Sequence, residues 1–352
     1  MTRRASPSGN GATGPTAEAT TWPPVSVVMP VRNEGRDLRA AVGRVLAQDY
    51  PGDLEVVVAV APSTDDTARI AADLAAADPR VRLVDNPQGR TPAGLNRAIA
   101  ASRHDIIVRV DGHGELGEGY LRTAVRTLQE TGAANVGGVM DARGRTPFEE
   151  AVAVAYTSRL GLGGSTFHLT TSKEGPSETV FLGVFRRDAL EGIGGYDESL
   201  HRAQDWELNY RLRQRGELVW FTPKLRVAYR PRPNLVALAR QFWDTGRWRR
   251  EVSRRHPETL NARYLAPPLA LLGVVGGIAV GGHGSSHGVR WMQLGWLAPA
   301  GYLAVVVVGA AAMPRRMDPR ARAWLPIVLA TMHLCWGAGF IVGLGPAQRP
   351  LR

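Results

Sequence analysis

Ile106-Ile107-Val108-Arg109-Val110-Asp111-Gly112-His113 is the stretch that decides the fold. Four of the five residues before Asp111 are β-branched aliphatics, the mark of a parallel strand buried on both faces. The run stops at an acid, a glycine and an imidazole. In open α/β sheets, ligands bind beyond the carboxyl ends of the strands. A carboxylate and a neutral imidazole two residues apart, on a turn opened by glycine, can converge on one divalent cation. Such a cation would neutralise a diphosphate.

Upstream, short aliphatic runs alternate with amphipathic, alanine-rich stretches. Val25 to Met29, Leu54 to Ala61 and Val81 to Val84 read as strands. Helices are expected from about Asp37 to Gln48, from Asp65 to Ala77 with a cap in Ser63-Thr64-Asp65, and from Thr91 to Ser102 with Pro92 in its first turn. Repeated βα units of this kind predict a doubly wound, mostly parallel α/β sheet covered by helices on both faces. From about Ala134 to Val227 the signals mix, with more glycine and shorter strands. That stretch reads as an α+β extension that completes the same domain, which we bound at 25–233.

The chain has 352 residues and a net charge of +11, carried overwhelmingly by arginine. No zinc finger, aromatic RNA-binding strand or helix-turn-helix is present, so nucleic acid is not the expected partner. The basic clusters flank apolar segments, which favours a membrane surface. Cys335 is the one cysteine, which excludes an intrachain disulfide and a cysteine-rich metal site. Residues 1–24 are rich in Gly, Ser, Thr and Pro without an apolar core, and read as a disordered tail and not a signal peptide.

Residues 234–260 mix Leu235, Leu238, Phe242, Trp243 and Trp248 with six arginines. Two readings stand: a helix in a membrane interface, or an amphipathic helix packed on the domain. Within 265–345, the segments 265–282, 291–313 and 324–344 are almost free of charge and near spanning length. The 314–323 loop carries Arg315, Arg316, Arg320 and Arg322, whereas 282–290 carries only Arg290. By the positive-inside rule the 314–323 loop and the catalytic side are both cytoplasmic; three spans are expected to satisfy that and two or four not, which leaves the C-terminal tail outside.

Six segments in order resemble the family-2 glycosyltransferases. Val27 to Glu34 is similar to their first strand and P-x-x-N-E loop, and Ser63-Thr64-Asp65-Asp66-Thr67 to their S-T-D-G-T turn. Gly89 to Asn96 resembles the segment before their metal motif. Asp111-Gly112-His113 stands where they carry D-x-D. Gly194-Gly195-Tyr196-Asp197-Glu198 and Gln204-Asp205-Trp206-Glu207-Leu208 resemble their G-G-F-D-E and E-D-x-E-L block. The membrane-attached, succinoglycan-synthesis branch is the nearest in pattern, and the likeness covers about residues 25 to 345.

This resemblance implies a GT-A-like nucleotide-sugar-binding domain with C-terminal transmembrane helices. It implies inverting, metal-dependent sugar transfer from a nucleotide-sugar donor, UDP-linked, to a lipid-linked or saccharide acceptor. The setting would be the cytoplasmic face of the plasma membrane, in exopolysaccharide or cell-envelope glycan synthesis, with polysaccharide-assembly proteins as possible partners. Asp111 and His113 would hold Mn²⁺ or Mg²⁺. Asp205 would act as the base on the acceptor hydroxyl, with Trp206 as an apolar wall that raises its pKa. The competing role for Asp205 is a carboxylate facing a helix N-terminus. Pro30, Asn33, Glu34, Asp65, Arg90, Asn96 and Asp111 would bind the nucleotide-sugar, Arg90 as a diphosphate clamp. Arg247 and Trp248 stand near the place of the Q-x-x-R-W motif of processive synthases, but Gln241 lies six residues before Arg247 instead of three. They would help bind the nucleotide or anchor the interface helix. Rival readings are a processive polysaccharide synthase, a nucleotidyltransferase, and a non-catalytic membrane subunit of a polysaccharide-assembly complex.

Overall fold

The computed structural model describes residues 22–162, 166–168, 171–313 and 316–345. The expected disordered tail therefore lies, up to residue 21, outside the described residues, as do Arg315 and the segment after residue 345. The strands are β1 Val25–Val31, β2 Leu54–Val60, β3 Val81–Asp85, β4 Ile106–Arg109, β5 Glu115–Leu116, β6 Asn135–Ala142, β7 Gly175–Pro176, β8 Phe181–Arg186 and β9 Val219–Tyr229. The helices before the apolar region are α1 Leu38–Leu46, α2 Thr67–Ala77, α3 Thr91–Ala101, α4 Tyr120–Thr131, α5 Pro147–Tyr156, α6 Arg159–Leu162, α7 Arg187–Gly192, α8 Gln204–Gln214 and α9 Leu235–Arg255. They are followed by α10 Ala262–His287, α11 Arg290–Gln293, α12 Leu297–Ala311 and α13 Pro319–Val342.

Among the described residues nine strands form one sheet, and the expected βα units supply its parallel half in the order β3-β2-β1-β4. Beyond β4 the sheet turns mixed: β8 runs antiparallel to both β4 and β6, and β6 pairs parallel with β9. Side chains alternate between two cores, as the pleat requires. Val25, Val27 and Met29 face a cluster with Leu38, Val42, Ile70 and Leu121 from α1, α2 and α4. Val28, Val57 and Ala59 face Leu95 and Ala98 of α3 and Leu208 of α8. Both faces are covered, so β1 and β2 read as unbroken hydrophobic runs instead of alternating ones.

The parallel strands all end on one side, and the loops leaving β1, β2, β3 and β4 gather there. The glycine in Asp111-Gly112-His113 is a packing requirement: a Cβ on Gly112 would stand 2.8 Å from Cγ of Glu34 and 3.0 Å from Cγ1 of Val31. Only a bare Cα lets the loop after β4 close on the loop after β1.

Ala262–His287, Arg290–Ala311 and Pro319–Val342 are each long and apolar enough to cross a membrane. They extend or shift the segments expected at 265–282, 291–313 and 324–344, and α10 runs straight through Pro267 and Pro268. α9 packs on the rest of the molecule. It lies against α13 with a glycine on each side of the contact: a Cβ on Gly246 would come within 2.1 Å of the Trp336 carbonyl oxygen, and one on Gly339 within 2.0 Å of the Trp243 carbonyl oxygen. Leu238 and Phe242 of α9 share an apolar cluster with Leu325, Val328, Leu329 and Met332 of α13 and with Phe148 and Val152 of α5.

Candidate active site

A cleft of about 370 Å³ opens at the carboxyl ends of the parallel strands. Pro30, Glu34, Arg90, Asp111 and His113 line it, together with Arg32, Asn86, Arg109 and Gln204. Five of the expected site residues thus share one cavity. Asp205 follows Gln204 in the first turn of α8 and joins the same site through Arg109.

Arg109 is the residue at the centre. Its Nε donates to Asp111 Oδ1 at 3.1 Å, its Nη1 donates to Asp205 Oδ1, and its guanidinium lies 5.9 Å from the centroid of the Tyr196 ring. Only 5% of its side chain is accessible. A buried guanidinium must be matched by carboxylates or it destabilises the fold. The strand end therefore carries an Arg–Asp–Asp triad instead of an isolated acid. Asp205 keeps 36% of its side chain accessible. Its recessed position pushes its carboxyl above the ordinary range, Arg109 opposes that rise, and the Asp111 carboxylate adds to it. A basic carboxylate poised this way suits proton acceptance.

Trp206 does not build the apolar wall expected beside Asp205. Trp206 turns away from Asp205, stacks on Tyr210 at 5.5 Å and lies under Arg249, 4.3 Å from its ring centroid. Successive helical residues point about 100° apart, which is why a neighbour in sequence is not a neighbour in the site. Glu207, in the same first turn of α8, is paired: both its oxygens accept from Arg211, at 2.6 and 2.9 Å.

His113 pairs with Glu34 through Nδ1 and Oε1 at 2.8 Å. That bond raises the pKa of the imidazole, with burial acting against it. Glu34 thus holds the ring through one oxygen while it lines the same cleft. With Nδ1–H donated to Glu34, Nε2 is the nitrogen left to meet a ligand. Among the described residues no group of three or more His, Cys, Asp or Glu side chains is placed to hold a metal ion. Asp111 and His113 line the same cleft, so a cation bound there would draw two ligands from these side chains and its remaining oxygens from the bound ligand and water, the habit of Mg²⁺ at phosphate sites.

Five expected ligand residues are not in the cleft lining. Asn33, with φ +55°, accepts through Oδ1 from the Thr64 amide at 2.8 Å. Asp65 accepts from the Gly35 amide at 2.9 Å and from the Thr67 amide at 3.1 Å. These two clasp the loops after β1 and β2 to each other. Asn96 spends its amide on the 195–198 loop, donating to Tyr196 O and Glu198 Oε1 and accepting from the Tyr196 amide. Arg247 donates to the Gly343 carbonyl at 2.8 Å, and Trp248 is buried with Leu200 and Leu344. All five are bonded or packed within the loops and helices around the site.

Arg109 went unread in the sequence, although an arginine inside an otherwise aliphatic strand is itself a signal that a carboxylate must lie opposite. Its removal has a defined consequence. Arg109 lowers the pKa of Asp205, so Arg109→Met leaves the base protonated to higher pH. The acid limb of the rate–pH profile should move upward, and the variant should lose activity most at low pH. An unmoved limb in a folded variant would separate Asp205 from the proton step.

The sequence model described as glycosyl transferase family 2 matches residues 26–194. The chain is 35% identical over 329 residues to the succinoglycan biosynthesis protein ExoA of Rhizobium meliloti, covering 89% of this chain and 93% of that protein. It is 28% identical over 224 residues to the glycosyltransferase AglE of Haloferax volcanii, covering 63% of this chain and 72% of that one. Its fold is similar to the mannosyltransferase PcManGT of Pyrobaculum calidifontis in complex with GDP-Man and Mn²⁺. The TM-score is 0.57 at 20% identity, over 92% of this chain and 87% of that one.

Proposed function

The chain belongs to glycosyltransferase family 2 and is a glycosyltransferase, and on that premise we propose that it transfers a single sugar, with inversion, from a UDP-linked donor to a lipid-linked or saccharide acceptor in exopolysaccharide or cell-envelope glycan synthesis. The observation that carries the reading is the Arg109 bridge, which joins Asp111, on the cleft side, to Asp205 at the start of α8. The donor diphosphate would lie against Asp111, His113 and Arg90, and the acceptor hydroxyl against Asp205.

A divalent cation, Mn²⁺ or Mg²⁺, held by Asp111 and His113 would supply charge neutralisation for the departing diphosphate. The protein's own residues do the rest. Glu34 holds the His113 ring. Arg90 offers a planar fork to phosphate oxygens. Asp205 accepts the acceptor's proton as its oxygen attacks the anomeric carbon from the face opposite the leaving group. Arg109 fixes that carboxylate and balances its negative charge until it takes the proton.

Single transfer is favoured over processive synthesis because the residues of the Q-x-x-R-W pattern have other partners. Gln241 accepts from Arg232 at 3.0 Å, and Arg247 is bonded to Gly343. The relationship to the succinoglycan protein supports the exopolysaccharide setting, and the basic flanks of the apolar helices support a catalytic domain on the cytoplasmic face of the plasma membrane.

The test is a screen of radiolabelled nucleotide-sugars against native membrane lipids, with donor hydrolysis followed with and without EDTA. Transfer of label from one UDP-sugar into the lipid fraction, lost in EDTA, is the expected result. Hydrolysis or transfer of no donor at all would favour a non-catalytic assembly subunit.

A further inference from the structure

We propose that α13 is not a third span but lies in the plane of the membrane interface beside α9, so that the chain crosses the bilayer twice and ends on the side of its catalytic domain. The proposal rests on the membrane-attached reading above.

Three observations carry it. First, α13 is tied to the catalytic domain at both ends. At its start the Asp318 amide donates to Glu150 Oε1 at 3.2 Å, and the Trp324 ring packs edge-on against Phe148 of α5. In its middle His333 donates through Nε2 to the Leu160 carbonyl at 2.6 Å. At its end Arg250 donates to the Phe340 and Ile341 carbonyls and Arg247 to that of Gly343, while Leu344 packs on Leu200 and Trp248. A helix of 24 residues is about 36 Å long, more than the hydrocarbon core is thick. It cannot cross that core while both its ends touch one water-exposed domain.

Second, its neighbour cannot enter lipid. α9 runs beside α13 and carries Arg240, Asp244, Arg247, Arg249, Arg250, Glu251, Arg254 and Arg255. Were α13 to span, these eight charges would be drawn into hydrocarbon with it. Third, α13 is two-faced. Ala321, Leu325, Val328, Leu329 and Met332 are buried on the domain side, whereas Trp324, Ile327, Ile341 and Val342 are exposed. The remaining pair is less covered: α12 buries Val306 and Ala310 against the same cluster and Tyr302 hydrogen-bonds His333, but α10 and α12 expose Leu269, Leu272, Val275, Leu303 and Val308. The far end of that hairpin is closed by its own residues, Gly281 against Trp296 and Gly284 against Met292.

Against the expectation from the sequence, two crossings satisfy the positive-inside rule as well as three do, because the basic segment between α12 and α13 lies on the side of the catalytic domain in either case. The arrangement also holds the loop carrying Leu200, just before Asp205, at the level of the lipid headgroups, where a lipid-linked acceptor presents its sugar.

The experiment compares three full-length chains in cells, each with one epitope: before Met1, at Gly288, or after Arg352. Each is probed by antibody in intact and in permeabilised cells. The two terminal epitopes should behave alike and the Gly288 epitope oppositely. Terminal epitopes on opposite sides would restore the third span and overturn the proposal. All three on one side would overturn it as well, because the α10–α12 hairpin would then not cross. The comparison is independent of orientation: an N-terminal epitope found outside would sink the cytoplasmic reading while the agreement of the two termini still decides the crossing number.

Discussion

Asp205→Asn lowers turnover by about two to four powers of ten, the usual loss when a general base is neutralised, while UDP binding in the presence of metal stays near its native strength. The reason lies in how Asp205 is held. It is recessed enough for its carboxyl to be raised, and Arg109 donates to it. Asparagine keeps the shape and one accepting oxygen for that guanidinium but accepts no proton. Because Arg109 retains Asp111, the variant should fold. Nucleotide binding by calorimetry and sugar transfer by radiolabel separate the two effects. Near-native transfer would reduce Asp205 to a counter-charge for Arg109 at a helix N-terminus. Glu207, the neighbouring acid, is itself paired with Arg211 through both its oxygens.

Asp111→Ala should remove transfer altogether, by about 10³-fold or more, since the charge opposite the departing diphosphate is lost with it. The protein should remain folded and membrane-bound, with Arg109 held by Asp205 alone. Binding of UDP should lose its dependence on added Mn²⁺, and EDTA should change nothing further. His113→Ala should act more weakly, raising the metal concentration needed, because imidazole contributes no charge. Full activity of Asp111→Ala in EDTA would dispose of the metal-dependent reading. If metal dependence survives Asp111→Ala and vanishes in Glu34→Ala, the loop after β1 holds the cation instead.

What the sequence determined by itself is local and periodic. The aliphatic runs of β1, β2 and β4 are visible because a strand buried on both faces needs no polar position. The loops at their carboxyl ends are visible because glycine, proline and short polar residues must stand there. Order then identified the family, and Pro30, Glu34, Arg90, Asp111 and His113 proved to line one cleft. The same reading assigned Asn33, Asp65 and Asn96 to the ligand, and the structure shows that each of them joins neighbouring loops. Motif spacing shows that a residue is required and does not show what it touches.

Only the tertiary structure decided the partners. Arg109 meets Asp205 across 96 positions and His113 meets Glu34 across 79, and no local pattern encodes either pairing. The same holds for α13. Its composition is that of a span, and an apolar helix is equally stable in lipid or against an apolar protein face. What chooses between them is the neighbour: α9, with a glycine at the crossing and arginines reaching the last carbonyls of α13, offers a protein surface that hydropathy along the chain does not register.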